Sequence, residues 1–217
     1  MNLRNLCTLW MLSLFFSKTD LTAQARGTEA MLASLDTKAP AYAGIAKQIW
    51  GFAEVGYQET KSSALLQEQL RAAGFTVESG VAEIPTAFVA TFGSGKPVIG
   101  ILGEFDALPG LSQDAVPSPK PLIAGGPGHG CGHHLFGTAS AAAAIAVKEW
   151  LTANGRTGTV KFFGTPAEEG GGGKVYMIRA HCVQGGFPSF STGDLQNRDV
   201  PYAVGYLDAG VFTVAAP

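Results

Sequence analysis

Two β-rich runs that each lead into a glycine-rich loop and then into a helix place the strongest constraint on the fold. The runs cover residues 98–102 and 159–164, and helices are predicted after them over residues 133–152 and 174–180. This order of elements is typical of an α/β sheet. Functional sites in such sheets lie at the carboxyl ends of the strands, where both glycine-rich loops begin. We therefore predict a mainly parallel or mixed sheet flanked by helices.

Regular patterns also occupy the preceding part of the chain. Apolar residues recur at helical spacing over residues 28–54 and are interrupted at Pro40, so two helices are expected there. Residues 60–73 carry one apolar face and end at Gly74, a residue suited to a helix C-terminal cap. Short β-rich runs follow over residues 75–78, 87–92 and 98–102. The last of these is continuously apolar, which favours a strand buried on both faces.

The first 25 residues have the pattern of a secretory signal peptide. Arg4 precedes an apolar run over residues 6–16, and Ala23 and Ala25 form a small-x-small cleavage signature. The run is too short for a membrane span, which takes about 20 residues. We therefore expect an exported chain, periplasmic or secreted, whose mature part begins near Arg26.

Composition and glycine spacing exclude several classes of protein. With 46% hydrophobic and 15% charged residues, the chain is too apolar to be a disordered protein. A formal charge of −2 gives no basic surface for nucleic acid. A phosphate-binding Walker loop that ends at Lys174 would need glycine at position 168 and Ser or Thr at position 175, where Glu168 and Val175 stand. Nucleotide binding is thereby disfavoured.

A cluster of histidine and cysteine in the first glycine-rich loop indicates a metal site. Residues 128–134 read Gly-His-Gly-Cys-Gly-His-His. Thiolate and imidazole are zinc ligands, and the glycines between them allow near neighbours to converge. Cys131 and His133 are the indicated ligands, whereas the pattern leaves His129 and His134 open. The alternative is a glycine-rich turn whose histidines are merely exposed.

Carboxylates after the two β-rich runs complete the candidate site. Glu168 and Glu169 precede a run of glycines, so that one can bind a metal while the other faces a water molecule. Hydrolysis at a metal needs such a water and a carboxylate that moves its proton. Glu104 and Asp106 follow the other run, and a carboxylate there can accept the free N–H of a metal-bound histidine. The alternatives are solvated turn glutamates and a helix or turn cap.

These motifs resemble those of the metallopeptidase and amidohydrolase family that includes aminoacylase, hippurate hydrolase and indole-acetyl-amino-acid hydrolase. The matching segments are residues 49–74, 103–109 (GEFDALP), 128–138 (GHGCGHHLFGT) and 164–180 (GTPAEEGGGGKVYMIRA). The resemblance implies a zinc-exopeptidase-like domain that uses two divalent metal ions, zinc or manganese. The implied reaction is hydrolysis of the amide in a small N-acyl or N-aroyl amino acid or dipeptide-like substrate.

The same resemblance implies a role for each candidate residue. Cys131, His133 and Glu169 fall on metal-ligand positions, and Glu168 falls on the general base that activates the metal-bound water. Asp106 falls on the aspartate that supports the site. The family's two further ligand histidines have no counterpart, nor has its inserted lid domain, which helps to bind substrate and to form a homodimer. The catalytic domain is therefore expected to be incomplete.

Resemblance and periodicity both stop at Ala180. We predict a signal peptide over residues 1–25, a partial catalytic domain over residues 26–180 and an unassigned tail over residues 181–217, for which a frameshift is one explanation. Two alternatives to a metal enzyme stay open. One is an inactive metal-binding fragment, and the other is a thiol hydrolase with Cys131 as its nucleophile. A disulfide between Cys131 and Cys182 would compete with the metal role.

Overall fold

The computed structural model of the protein describes the backbone of residues 3–180 and 211–214 and the side chains of residues 28–180. The helices are α1 (Leu3–Phe52), α2 (Thr60–Ala72), α3 (His133–Ala153) and α4 (Gly173–Arg179). The strands are β1 (Thr76–Ser79), β2 (Phe88–Ser94), β3 (Val98–Gly103), β4 (Gly158–Gly164) and β5 (Val211–Val214). Within this described part, none of the helices has the length and apolar composition needed to cross a membrane.

The strands form one mixed sheet with the order β1-β2-β4-β3-β5. Only β3 and β4 pair in parallel, and the other described pairings are antiparallel. A mixed sheet flanked by helices is one of the two arrangements that the sequence predicts. Gly103 pairs with Gly164 at the ends of β3 and β4, so the loops that follow leave the sheet side by side.

Phenylalanine rings pack tightly beneath this edge of the sheet. The ring of Phe88 stacks on Phe162 at 5.6 Å and on Phe105 at 6.2 Å, measured between ring centroids. A Cβ atom on Gly164 would lie 2.1 Å from Phe88, and one on Gly103 would lie 2.3 Å from Phe162. Both strands therefore end in glycine because the rings occupy the space that a side chain would need.

The expectation of two helices over residues 28–54 is wrong, because α1 continues through Pro40. Proline removes one helical hydrogen bond and typically costs about 3 kcal/mol inside a helix. Contacts on both sides hold this part of α1 in place. Ile45 and Ile49 are buried in the core, and Lys38 forms an ion pair with Glu149 of α3 at 2.6 Å.

The tail over residues 181–217, which the sequence leaves unassigned, contains one strand among the described residues. Strand β5 pairs antiparallel with β3, with Val214 opposite Val98. The sequence Val-Phe-Thr-Val has high β-propensity, and the edge of β3 that faces away from β4 offers it unpaired backbone groups. Residues 181–210 and 215–217, Cys182 among them, lie outside the described residues. The frameshift explanation therefore stays a prediction.

Candidate metal centre

The loops after β3 and β4 and the first turn of α3 bring charged side chains together at one edge of the sheet. Glu104 and Asp106 follow β3 directly, and the fully buried Phe105 between them anchors this stretch in the core. His133 is the first residue of α3, after Gly132 has turned the backbone with a φ of +81°. Glu168 comes from the loop after β4. The parallel pairing of β3 with β4 is what makes these residues neighbours.

The imidazole of His133 lies between two carboxylates. Its Nδ1 is 2.9 Å from Asp106 Oδ1, and its Nε2 is 3.0 Å from Glu104 Oε2. Burial by itself lowers the pKa of His133, but hydrogen bonds to Asp106 and Glu104 outweigh burial and raise that pKa to about 10. Without a metal ion, the ring is therefore a buried cation at neutral pH.

Asp106 connects the two loops of the site. Its side chain is buried; one carboxylate oxygen faces His133, and the other accepts the backbone N–H of Glu169 at 2.9 Å. The start of α3 and the loop after β4 are thus held to the same side chain. The sequence predicts a supporting role for Asp106, and these are the contacts through which it would act.

Glu104 has a second cationic partner in Lys174 of α4, which donates a hydrogen bond to its Oε1. Burial raises the pKa of Glu104, but the hydrogen bond from His133 and the charge of Lys174 outweigh burial and lower it. Glu104 is therefore an anion that holds two cations. The sequence indicates Glu104 only as a supporting carboxylate, and it gives no sign that Lys174 pairs with it.

The structure gathers a ligand set that differs in part from the predicted one. Atoms of Glu104, His133 and Glu168 that can bind a metal all lie within 4.8 Å of one another. Glu169 Oε1 is farther from the ring than Asp106, at 3.8 Å from His133 Nδ1. The exposed free thiol of Cys131 hydrogen-bonds to Glu169, and this bond, more than burial and nearby carboxylate charge, raises the thiol pKa to about 11. Of the predicted ligands, only His133 belongs to this group of three.

The two histidines whose role the sequence leaves open, His129 and His134, pack against each other and against Trp50. Their rings are 5.0 Å from each other, and His134 meets Trp50 edge-on at 4.8 Å. His129 Nε2 is 3.1 Å from the carbonyl oxygen of Ile49, whereas neither Nδ1 atom has a hydrogen-bond partner among the described residues. Burial, followed by the charges of His129 and His133, lowers the pKa of His134 to about 4. Burial likewise lowers the pKa of His129, and both rings are buried.

This geometry defines the class of protein. It is a mixed α/β domain with a candidate metal centre at the ends of its two parallel strands. Residues 100–207 match the family model of peptidase family M20/M25/M40. The match includes every residue of the carboxylate cluster around His133. It also continues beyond Ala180, where the resemblance read from the sequence stops.

Curated relatives of the chain are hydrolases. It is 55% identical over 139 residues to one subunit of the p-aminobenzoyl-glutamate hydrolase of Escherichia coli (strain K12), covering 64% of this chain and 29% of that protein. It is 32% identical over 142 residues to IAA-amino acid hydrolase ILR1-like 4 of Arabidopsis thaliana, covering 65% of this chain and 31% of that protein. The chain thus spans about a third of the length of the curated relatives it matches.

A solved structure shares the fold. It is the dinuclear metal-binding peptidase of the M20 family from Bacillus subtilis, which is 25% identical with a TM-score of 0.55. The alignment covers 69% of this chain and 41% of the Bacillus subtilis chain. The shared part is the mixed sheet with its flanking helices.

Proposed function

We propose that this chain carries the catalytic site of a metal-dependent amidohydrolase that cleaves the amide of an N-acyl or N-aroyl amino acid, such as aminobenzoyl-glutamate. The observation that carries the proposal is the convergence of Glu104, His133 and Glu168 within 4.8 Å. The substrate class is supported by the 55% identity to one subunit of a p-aminobenzoyl-glutamate hydrolase. The proposed cofactors are two divalent ions, zinc or manganese, in line with a family relative described as dinuclear.

The donor set fits a divalent metal ion. Imidazole nitrogen and carboxylate oxygen are ligands that zinc and manganese both accept. Asp106 faces Nδ1 of His133 at 2.9 Å, which leaves Nε2 as the nitrogen for the metal. The same Nε2 is 3.0 Å from Glu104 Oε2, so both donor atoms already face a common point. His133 and Glu104 would therefore hold one ion, and the carboxylate of Glu168 would lie beside it.

A second ion needs further donors, and the site offers a thiol and another carboxylate. Cys131 and Glu169 are hydrogen-bonded to each other, and Glu169 is fixed to Asp106 through its backbone N–H. A thiolate is a strong zinc ligand once the proton has been displaced. We assign Cys131, His133 and Glu169 as metal ligands, as the family pattern implies, and we add Glu104 to them.

Glu168 is the residue that we assign as general base. A bound divalent ion would lower the pKa of a water molecule and polarise the substrate carbonyl. The side chain of Glu168 is 44% exposed and its Oε2 is 3.8 Å from His133 Nε2, so its carboxylate reaches both solvent and the site. Glu168 can take a proton from the attacking water and deliver it to the leaving amine. Asp106 meanwhile keeps the His133 ring oriented.

We further propose that the protein is exported and that the active form is a homodimer. Export is supported by the signal-peptide pattern of residues 1–25. Dimerisation rests on the family resemblance alone. Amino-terminal sequencing of the exported protein should find a start near Arg26, and a start at Met1 would contradict export by signal cleavage.

A second candidate function is an inactive metal-binding fragment. The observation that favours it is that, among the described residues, only Glu104, His133 and Glu168 form a group of three potential ligands, fewer than two ions need. The thiol-hydrolase alternative gains no such support. A cysteine nucleophile needs a lowered pKa, whereas the hydrogen bond to Glu169 raises the pKa of Cys131 to about 11.

The deciding experiment measures metal content and hydrolysis of p-aminobenzoyl-glutamate on the same purified samples. We expect bound zinc or manganese, hydrolysis that a chelator abolishes and added metal restores, and two separable variants. Glu168→Ala should lose hydrolysis while keeping metal, and Cys131→Ser should lose metal. Glu149→Ala is the matched control, because this glutamate pairs with Lys38 on the helical side of the domain.

Each outcome of this experiment decides between the candidate functions. Metal binding without hydrolysis would identify the inactive fragment. Hydrolysis that survives the chelator and is lost in Cys131→Ser would establish the thiol enzyme instead. Absence of both metal and activity would overturn the proposal.

A further inference from the structure

The connector between α1 and α2, residues 53–59, braces both loops of the candidate metal centre. The backbone carbonyl of Glu54 accepts a hydrogen bond from the N–H of Ala107, next to Asp106, at 2.8 Å. The hydroxyl of Tyr57 donates to the carbonyl oxygen of Gly171 at 2.5 Å. The connector therefore touches the loop after β3 and the loop after β4, although it contributes no side chain to the metal centre.

Glu59 closes this connector with a fully buried carboxylate. Its Oε1 accepts the backbone N–H of Ala167 at 2.8 Å, and its Oε2 accepts the hydroxyl of Thr86 at 3.0 Å. Burial raises the pKa of Glu59, against the effect of the hydrogen bonds from its own backbone, Ala167 and Thr86. Burying an acidic group costs stability unless its oxygens are satisfied. The buried Glu59 therefore lowers the stability of the fold compared with a hydrophobic side chain at the same position.

The partner of Glu59 is the residue that turns the chain toward the site. Ala167 has a φ of +56°, in the left-handed region that a residue with a Cβ atom rarely adopts, and it directly precedes Glu168. Such a conformation typically costs about 1–3 kcal/mol and persists only where the surroundings enforce it. The backbone of Gly56 supports it from the same connector, since a Cβ atom there would lie 3.0 Å from Ala167 Cα.

The turn at Ala167 decides where the two glutamates go. Beyond it, the N–H of Glu169 reaches Asp106 Oδ2 at 2.9 Å, and the carboxylate of Glu168 faces His133 at 3.8 Å. We propose that Glu59 is a positioning residue, whose carboxylate holds Ala167 in the left-handed turn that directs Glu168 and Glu169 to the metal centre. The role of that centre rests on the function proposed above, whereas the geometry of the turn can be measured without it.

Three variants test the proposal. Glu59→Ala removes the acceptor for the Ala167 N–H, and Glu59→Gln keeps a carbonyl oxygen that can accept it. Thr86→Val removes the other hydrogen bond of the same carboxylate and is the matched control for a purely structural loss. Two quantities are measured in each variant without substrate: the exchange rate of the Glu169 amide hydrogen by NMR, and the affinity for Zn²⁺ by calorimetry.

We expect Glu59→Ala alone to lose the protection of the Glu169 amide and to bind Zn²⁺ about 10–100-fold more weakly, the usual effect of removing a group that orients a ligand. Glu59→Gln should keep both properties. Thr86→Val should lower the melting temperature but leave both properties near those of the original protein.

Equal losses in Glu59→Ala and Thr86→Val would reduce Glu59 to a structural residue and overturn the proposal. Unchanged protection of the Glu169 amide in Glu59→Ala would overturn it as well. If the original protein binds no Zn²⁺, the proposed function fails, while the amide exchange still decides the role of Glu59.

Discussion

The first turn of α3 separates two environments that treat adjacent histidines in opposite ways. His133 lies between Asp106 and Glu104, and its pKa rises to about 10. His134, about 100° further around the helix, packs against Trp50 and His129, and its pKa falls to about 4. The same type of side chain is thus a charged member of the candidate metal centre on one face and a neutral core residue on the next. The number of histidines in a motif therefore overstates the number of ligands.

The largest expected effect comes from exchanging the two histidines for alanine, one at a time. His133→Ala removes the only nitrogen ligand of the Glu104, His133 and Glu168 cluster and should lower Zn²⁺ affinity by more than about 100-fold, beyond the usual cost of losing an orienting group. His134→Ala should leave that affinity unchanged within about threefold, because its ring faces the core. Calorimetric titration with Zn²⁺ measures the affinity of both variants. Comparable losses of affinity would show that the two histidines do not differ in their role.

The next largest effect on Zn²⁺ affinity is expected for Asp106, the carboxylate that orients His133. Asp106 accepts two hydrogen bonds, one from the ring of His133 and one from the backbone N–H of Glu169. In Asp106→Asn, the single side-chain oxygen can accept only one of them. We expect a loss of about 10–100-fold in Zn²⁺ affinity. Asp114→Asn is the control, since Asp114 pairs with Lys120 in the long loop. An Asp106→Asn variant that binds Zn²⁺ normally would show that His133 needs no partner at Nδ1.

The pH dependence of folding should separate the two histidines without any metal. The pKa of His133 is raised in the folded state, so its stabilising contribution is complete below pH 6.5 and is lost as the pH rises toward about 10. The pKa of His134 is lowered, so its contribution is present above pH 6.5 and is lost as the pH falls toward about 4. Urea unfolding of the zinc-free protein should show both slopes. His134→Phe should flatten the acidic slope only, and a variant with both slopes intact would refute the assignment.

The smallest effect is expected for Lys174, which lies on the same side as His133 and the carboxylates. Its ammonium group pairs with Glu104 and would compete with a metal ion for that carboxylate. A partly exposed ion pair of this kind contributes about 0.2–1 kcal/mol, so Lys174→Met should raise Zn²⁺ affinity by no more than about fivefold. Competition with a fluorescent chelator resolves a change of this size. A fall in affinity would instead make Lys174 a support for Glu104.

Sequence patterns predicted the elements that carry the site more reliably than the order in which they pack. Helices α2, α3 and α4 and strands β1 to β4 lie where the apolar periodicity indicated. Helix α1 was misjudged at Pro40, because packing against α3 overrides a local preference. The pairing of β5 with β3 could not be predicted, since four residues of high β-propensity do not identify their partner strand.

For the metal centre, the sequence indicated the loops but not the direction of each side chain. Asp106, His133 and Glu168 are brought together, as two loops that leave neighbouring parallel strands require. Glu104, which the sequence suggests only as a supporting carboxylate, contacts His133 as closely as Asp106 does, since the two acids flank the buried Phe105. The contact between Cys131 and Glu169 depends on the loop conformation around Gly132, which no spacing rule specifies.

The strand order has a consequence for how the chain reaches its native state. Strands β2 and β3 are consecutive in sequence, yet β4 lies between them in the sheet. Residues 95–97 are all that connect β2 to β3, so a local hairpin between the two closes a much shorter loop than either native pairing with β4. Short loops close sooner and with less loss of entropy. The centre at the ends of β3 and β4 therefore forms only in molecules in which β4 lies between β2 and β3, and divalent ions would favour those molecules during refolding.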